Sequence, residues 1–248
     1  MTHAPLRAAA AILREASRAV AFTGAGISVA SGISTFREED GIWARYPVEE
    51  YGTAEAFLRD PERVWELFGA VEVELRRARP NPAHEALAHL EAAGRLAAVV
   101  TQNIDGLHRR AGSRRVVEYH GTMESGHCPR CGFSVRREEV PPWPPAPRCP
   151  SCGAVLKPDV VLFGDPIPAE ALAESARLME AADAVLAVGT TLEVAPASWL
   201  VLDASDRGVP VIVVDPRPTR VARNAATVLL EAPAEEVLPA LVAALGLR

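Results

Sequence analysis

The stretch Val20–Arg37 (V-A-F-T-G-A-G-I-S-V-A-S-G-I-S-T-F-R) constrains the fold of this 248-residue chain more than any other. Ala19–Phe22 has the length and apolarity of a buried parallel strand, Thr23–Gly26 interrupts it with two glycines, and Ile27–Ser31 can begin a helix. A strand feeding a glycine turn and then a helix start is how a doubly wound sheet holds a phosphorylated nucleotide. Small residues let the backbone approach a diphosphate, and N–H groups at the helix N-terminus face its negative charge. Val29 stands where the full G-x-G-x-x-G fingerprint has its last glycine. A structural tight turn therefore accounts for Gly24-Ala25-Gly26 about as readily as a nucleotide does. Gly32–Arg37 adds weight to the nucleotide: glycine-punctuated, then aromatic and basic, it suits a mobile loop that folds over a cofactor.

The rest of the chain repeats this alternation. A helix is expected over 5–18, with Leu6, Ala9, Ala10, Leu13 and Ala16 on one face. A helical, aromatic and charge-rich insertion follows, restarting at the Asp60 cap with Pro61 in the first turn; another helix runs over Ala83–Ala93 after Asn81-Pro82. Leu96–Val100, Val116–Tyr119, Ala184–Val188, Val209–Val214 and Ala226–Leu230 read as strands, and Ala169–Ala182 and Glu235–Leu245 as helices. Strands alternating with helices imply an α/β fold on a parallel sheet. Polar residues crowd just past these strands, at Thr101–Asp105, His120-Gly121, Gly189–Thr191 and Asp215. That rim is where open parallel sheets bind ligands.

Composition narrows the class. No apolar run approaches the ~18 residues of a membrane span. The N-terminal stretch, interrupted by Arg14 and Glu15, reads as an amphipathic helix and not as a signal peptide, so a cytoplasmic protein is expected. A formal net charge of −6 argues against nucleic acid, whose binding needs cationic neutralisation of phosphates. It suits a basic peptide partner. Lys157 is the only lysine among 26 basic residues.

All four cysteines fall in one Pro-, Arg- and Gly-rich island, as Cys128-x2-Cys131 and Cys149-x2-Cys152. This is the spacing of a structural zinc ribbon, in which two knuckles of two thiolates close a tetrahedron. Two disulfides are the competing reading, disfavoured in a chain without an export signal. Four thiolates leave no open coordination position, so the zinc is structural; His127 is a spare candidate ligand. Among six histidines, His84, His89 and His108 sit in helical patterns and read as structural. His120 instead follows an apolar strand and precedes a glycine, which puts an imidazole at the rim of the sheet, where it can act as a general base.

Six motifs occur in order: G-A-G-I-S-x-x-S-G-I-x-x-F-R, T-Q-N-I-D-x-L-H-x-x-A-G (Thr101–Gly112), H-G (His120, Gly121), the two Cys pairs, K-P-x-V-V-x-F-G (Lys157–Gly164) and G-T-T-L-x-V-x-P-A (Gly189–Ala197). Together they resemble the sirtuins of bacterial type, which are NAD-dependent protein lysine deacylases, over essentially the whole chain. The resemblance implies a Rossmann-like NAD-binding domain over 1–35, 81–121 and 160–248, with helices on both faces of its sheet. It implies a small domain made of the helical insertion, 36–80, and the zinc ribbon, 122–159. NAD and an acyl-lysine peptide would meet in the cleft between them.

Carried over position by position, the resemblance implies that Gly24, Ala25, Gly26 and Ser28 cradle the diphosphate, and that Phe36, Arg37 and Trp43 belong to the cofactor site. Gln102, Asn103, Ile104 and Asp105 would surround the nicotinamide and its ribose, with Asn103 and Asp105 catalytic beside the base His120. Gly189, Thr190, Thr191, Asp215 and Ala234 would line the adenosine side. Val161, Phe163 and Gly164 would bracket a substrate that adds as a strand. The products would be nicotinamide, O-acyl-ADP-ribose and free lysine, the zinc touching none of them, and the enzyme is expected to be a monomer.

Three departures stand out. Ser34-Thr35 replaces the Pro-Asp frequent in the family, Asp165 the glutamate of F-G-E, and Asp215 an asparagine. Aspartate still accepts from both ribose hydroxyls and should disfavour a 2′-phosphate. Desuccinylases of this family carry a Tyr-x-x-Arg pair for an acidic acyl group; the matching positions here are Phe68 and Val71, and no tyrosine lies between Tyr51 and Tyr119. Gly52 falls where a small residue opens the acyl pocket. A roomy apolar pocket follows, taking acetyl and longer neutral chains and rejecting succinyl, because an unpartnered buried carboxylate is penalised. A mono-ADP-ribosyltransferase using the same NAD site is the alternative. A binding module recruiting partners through the ribbon is a third reading, opposed by the intact Asn103, Asp105 and His120.

Overall fold

The apolar runs do pair side by side. In this computed structural model, which describes residues 3–35, 41–140 and 144–247, nine strands are present among the described residues. They are β1 (Ala19–Thr23), β2 (Ala98–Thr101), β3 (Val116–Glu118), β4 (Gly121–His127), β5 (Ser134–Arg136), β6 (Lys157–Val160), β7 (Ala184–Val188), β8 (Val211–Val214) and β9 (Val228–Leu230). Six make a parallel sheet in the order β3-β2-β1-β7-β8-β9. Phe22 lies opposite both Val100 and Ala187.

The helices are α1 (His3–Glu15), α2 (Ile42–Arg45), α3 (Val48–Tyr51), α4 (Ala54–Arg59), α5 (Pro61–Arg77), α6 (Pro82–Ala92), α7 (Leu107–Arg110), α8 (Ala169–Glu180), α9 (Trp199–Asp206), α10 (Arg220–Ala225) and α11 (Ala234–Ala244). The sheet is covered on both faces, which is why its strands read as unbroken apolar runs rather than alternating ones. Ala21, Val99, Leu186 and Ile212 pack against α1, α6 and α11. Phe22, Val100, Ala187 and Val213 pack against α8, α9 and α10.

Several boundaries differ from the sequence reading, each for a local reason. The first helix runs from His3 and stops at Glu15, because the Ser17 and Arg18 N–H groups turn to the Asp183 carboxylate, each at 2.8 Å. Leu96 is outside β2; its N–H bonds back to the Leu90 carbonyl as α6 unwinds. Val209 likewise closes the end of α9 through the Ala204 carbonyl instead of opening β8. The residues after Gly24 form a 3₁₀ turn, Ala25–Ser31, tighter than the expected helix start. The Asp60 cap holds as read, its carboxylate accepting the Arg63 N–H. Helix α6 begins at Pro82, one residue earlier than expected, where Asn81 accepts the Ala83 N–H and donates its amide to the Ile27 carbonyl at 2.8 Å.

The sheet's connections run outward in both directions from β1 and β7, so the topological switch point lies at the carboxyl ends of those two strands. There the two loops touch backbone to backbone. Gly24 N–H donates to the Val188 carbonyl at 3.1 Å and Gly26 N–H to the Gly189 carbonyl at 2.9 Å. A Cβ at Gly26 would stand 2.7 Å from the Gly189 Cα, and one at Gly24 would stand 2.8 Å from its carbonyl oxygen. The close approach expected between these glycines and a ligand is thus already made between the two loops.

The small unit stands on the same rim. β5, β4 and β6 form an antiparallel sheet, bounded at Gly121 and Val160, one residue outside the expected ribbon at each end. Helices α2–α5 pack on it through Ile42, Phe57, Trp65, Phe68, Met123 and Leu162. The Trp65 indole donates to the Leu156 carbonyl at 2.7 Å, and the Glu72 carboxylate of α5 is paired with Arg137 beyond β5 and with Arg76. Gly26→Ala is expected to cost about 2 kcal/mol of stability through forced separation of the two loops, read as a melting temperature lower by about 4–8 °C.

Candidate active site and metal centre

The carboxyl ends of β1 and β2 carry a dense polar network. Thr23 donates to the Thr101 hydroxyl at 2.8 Å, and the Thr101 Oγ1 also accepts the Asn103 N–H at 3.1 Å. Two residues on, the Asn103 amide nitrogen donates to the Gly24 carbonyl at 3.2 Å and to the Ser28 Oγ at 3.1 Å. Ser28 in turn donates to Asp105 Oδ2 at 2.7 Å, while Asp105 Oδ1 accepts the Leu107 N–H that starts α7. Both amide hydrogens of Asn103 are committed, so its oxygen is the end left for a ligand. Gln102 spans to the other side of the switch point, its amide donating to the Thr190 Oγ1 at 2.9 Å.

His120 follows β3. Its Nδ1 lies 3.2 Å from the Gln102 carbonyl oxygen. A carbonyl can only accept, so Nδ1 carries the proton and Nε2 keeps a bare lone pair. Burial pushes the His120 imidazole below its ordinary pKa of 6.5, with the Gln102 hydrogen bond opposing. A neutral imidazole with an available Nε2 is a general base near pH 7. The His120 carbonyl accepts the Val161 N–H at 2.9 Å, which ties His120 to the expected substrate segment.

That segment is clamped by an ion pair that explains one departure in the sequence. Lys157 Nζ forms an ion pair with Asp165 Oδ2 at 2.9 Å and donates to the Val160 carbonyl at 2.8 Å, and the same Oδ2 accepts the Leu162 N–H. The shorter aspartate therefore serves as a strap for Val161–Gly164. Phe163 is 46% exposed at the strap's outer edge and exchanges backbone bonds with Gly52 and Ala54.

Other expected residues fall in various places. Thr191 accepts the Thr219 hydroxyl through its carbonyl, and Asp215, just past β8, accepts the Arg217 N–H at 2.8 Å. Ala234 opens α11 but is buried in the main core. Ile104 packs against the small unit's core, which contains Phe68 and Val71. Gly52 does not leave open space: a Cβ there would meet the Trp43 ring at 2.9 Å, so the indole fills the room a side chain would take. Trp43 also stacks obliquely on Phe163, centroids 6.2 Å apart. Phe36 and Arg37 lie outside the described residues. Sequence reasoning missed Leu192, whose φ of 55° puts a buried non-glycine in the left-handed region beside Thr191. It also gave His84 and His108 no part in this site, although both rings are buried in its floor.

The residues fit NAD. Ser28, Asn103, Asp105 and Thr190 are each no more than 6% exposed and yet converge on the rim of a sheet. Hydroxyls, amides and one carboxylate in that position suit a ligand made of ribose hydroxyls and a carboxamide. The cysteines fit zinc. No disulfide joins them; Cys128 and Cys152 Sγ atoms lie 3.5 Å apart, and those of Cys131 and Cys149 3.6 Å. All four sulfurs fall within 4.8 Å of one another. A tetrahedron with Zn–S near 2.3 Å needs S···S of about 3.8 Å. The knuckles repeat: Cys128 N–H bonds the Phe133 carbonyl and Cys149 N–H the Ala154 carbonyl, with Gly132 and Gly153 at φ 75° and 74°.

A switch-point polar site in a chain that also carries a four-cysteine module defines a sirtuin-type NAD-binding protein. The comparisons agree. Residues 24–196 match the model of the Sir2 family, and the chain belongs to that family. It is 49% identical over 211 residues to an NAD-dependent protein deacylase of Aeropyrum pernix, covering 85% of this chain and 86% of that one. That relative and others of similar identity are archaeal rather than bacterial. A Sir2 homologue solved as its NAD complex superposes with a TM-score of 0.89 at 40% identity, covering 99% of this chain and 94% of that one. Sir2Af2 bound to a myristoylated histone peptide superposes with a TM-score of 0.81 at 36% identity, covering 98% and 97%.

The purified chain should carry one zinc per molecule by atomic emission. Stripping it with a chelator should lower the melting temperature and loosen 121–160 in hydrogen exchange while β1, β2 and β7 stay protected.

Proposed function

We propose that this chain removes acyl groups from protein lysines with consumption of NAD, giving nicotinamide, O-acyl-ADP-ribose and free lysine. The observation that carries the reading is the His120 ring: Nδ1–H is tied to the Gln102 carbonyl, and Gln102 is the residue next to Asn103. Bound NAD supplies an electrophilic ribose carbon and the hydroxyl that finally carries the acyl group. Around it, the Asn103 oxygen and the Asp105 carboxylate hold the nicotinamide ribose in orientation. His120 Nε2 takes the proton from a ribose hydroxyl, and the desolvated rim makes that transfer compete with water. Val161–Gly164, fixed by the Lys157–Asp165 strap, receives the substrate backbone as an added strand. The acidic net charge of −6 supports a basic protein partner and no nucleic acid; a cytoplasmic monomer completes the proposal. Among the described residues no helix is long and apolar enough to cross a membrane.

The decisive assay is mass spectrometry of an acetyl-lysine peptide with and without NAD. NAD-dependent deacetylation with O-acetyl-ADP-ribose is expected, falling by at least about 100-fold in His120→Ala. ADP-ribose left on protein would favour the transferase instead. Because His120 must be neutral to act, kcat/KM should stay flat through neutrality and fall only as the pH drops below 6.5, its ordinary pKa.

The acyl group follows from Phe68 and Val71, which lie in an apolar cluster with Phe57, Leu67 and Leu162. Nothing basic stands at those two positions to pair with an acidic acyl group. The complex of Sir2Af2 with a myristoylated peptide is a precedent for a long neutral chain on a related enzyme. With Trp43 packed over Gly52, a longer chain requires that indole to shift. Succinyl-lysine should be turned over at least about 30-fold less efficiently than acetyl-lysine, the equivalent of ~2 kcal/mol for an unpaired buried carboxylate. Equal or faster turnover would refute the apolar pocket.

A further inference from the structure

His108 has no part in the chemistry above, yet it is 2% exposed and reaches the site through hydroxyls. Its Nε2 lies 2.9 Å from Thr23 Oγ1, Thr23 is 2.8 Å from Thr101 Oγ1, and Thr101 Oγ1 is 3.1 Å from the Asn103 backbone nitrogen. The other ring nitrogen, Nδ1, is buried and meets no partner among the described residues. That orphan atom decides the direction of the chain. If Nδ1 carried the proton, a buried N–H would go without an acceptor, which is rare and costly in folded proteins. With the proton on Nε2, the ring donates to Thr23, Thr23 donates to Thr101, and only an acceptor lone pair is left unmet. Burial pushes the His108 pKa down to about 3, so the ring stays uncharged at any working pH.

We propose that His108 is a positioning residue: as the Nε2–H tautomer it polarises a one-way hydroxyl relay, Thr23 to Thr101, that fixes the backbone of Asn103. The relay holds Asn103 from behind, while Gly24 and Ser28 hold its amide in front. Asn103 is thereby clamped at both ends without using its amide oxygen. The proposal rests on the assignment of Asn103 to the nicotinamide ribose made above.

The test uses the full-length, zinc-loaded protein. In wild type, ¹⁵N-histidine NMR should show a protonated Nε2 and a bare Nδ1 for the resonance lost in His108→Gln; a protonated Nδ1 would overturn the proposal. Glutamine carries an N–H donor at the reach of Nε2, whereas asparagine reaches only as far as Nδ1. His108→Gln should therefore keep kcat/KM for NAD within about threefold of wild type, while His108→Asn and His108→Leu lose about tenfold or more. Thr101→Val, which preserves shape, should lose a similar factor and stands in if the histidine variants do not fold. Rescue by asparagine but not glutamine would overturn the relay. So would an inactive Asn103→Ala beside a fully active His108→Leu. Full turnover in Asn103→Ala would instead remove the site assignment, and the relay with it.

Discussion

The contact on which the rest depends is the meeting of the Gly24–Gly26 loop with Gly189. The ends of β1 and β7 come within backbone hydrogen-bonding distance there, and nothing larger than a hydrogen fits between them. This closure brings Gln102 against Thr190 and points Ser28 at Asp105. It also draws Asn81 of α6 onto the Ile27 carbonyl. Opening the seam by the width of a methyl group would pull Thr190 away from Gln102 and shift the turn that carries Ile27 and Ser28.

The small unit is joined to that rim at few points, and each is chemically distinct. Gly121 leads directly out of His120, Val161 returns to it, and the bridge between Thr53 and Phe163 fastens the helices to the returning strand. The Glu72–Arg137 pair lies in the internal seam between helices and ribbon, beside the Trp65 bond to Leu156. A buried carboxylate paired with guanidinium groups is costly to break from one side, so the pair resists separation of the helices from the ribbon. The ion pair thus joins the four-cysteine ribbon to the helix that carries Phe68 and Val71.

The parallel sheet was legible because strands covered on both faces must be apolar throughout, as Ala184–Val188 and Val211–Val214 are. The zinc knuckles were legible because spacing alone brings two thiolates together. The cap at Asp60 was legible for a similar reason: its partner lies three residues away. What escaped reading is long-range. Thr23 and Thr101 are 78 positions apart and Thr23 and His108 are 85 apart, and no local pattern marks hydroxyls that face each other across neighbouring strands. Gly52 misled for the complementary reason. A missing side chain was read as space, but Trp43, nine positions back, had already claimed it.

The strap at Lys157 has a consequence for the protein as an object in its own chemistry. Its ammonium is the chain's single lysine side chain, 11% exposed and bound to Asp165 and the Val160 carbonyl. Every other basic side chain apart from histidine is a guanidinium, which cannot form the amide that a lysine deacylase cleaves. The enzyme therefore offers no accessible lysine to reactive acyl donors in its surroundings. Acylation of the chain at lysine would require the strap at Lys157 to open first, and no second lysine is present to be modified.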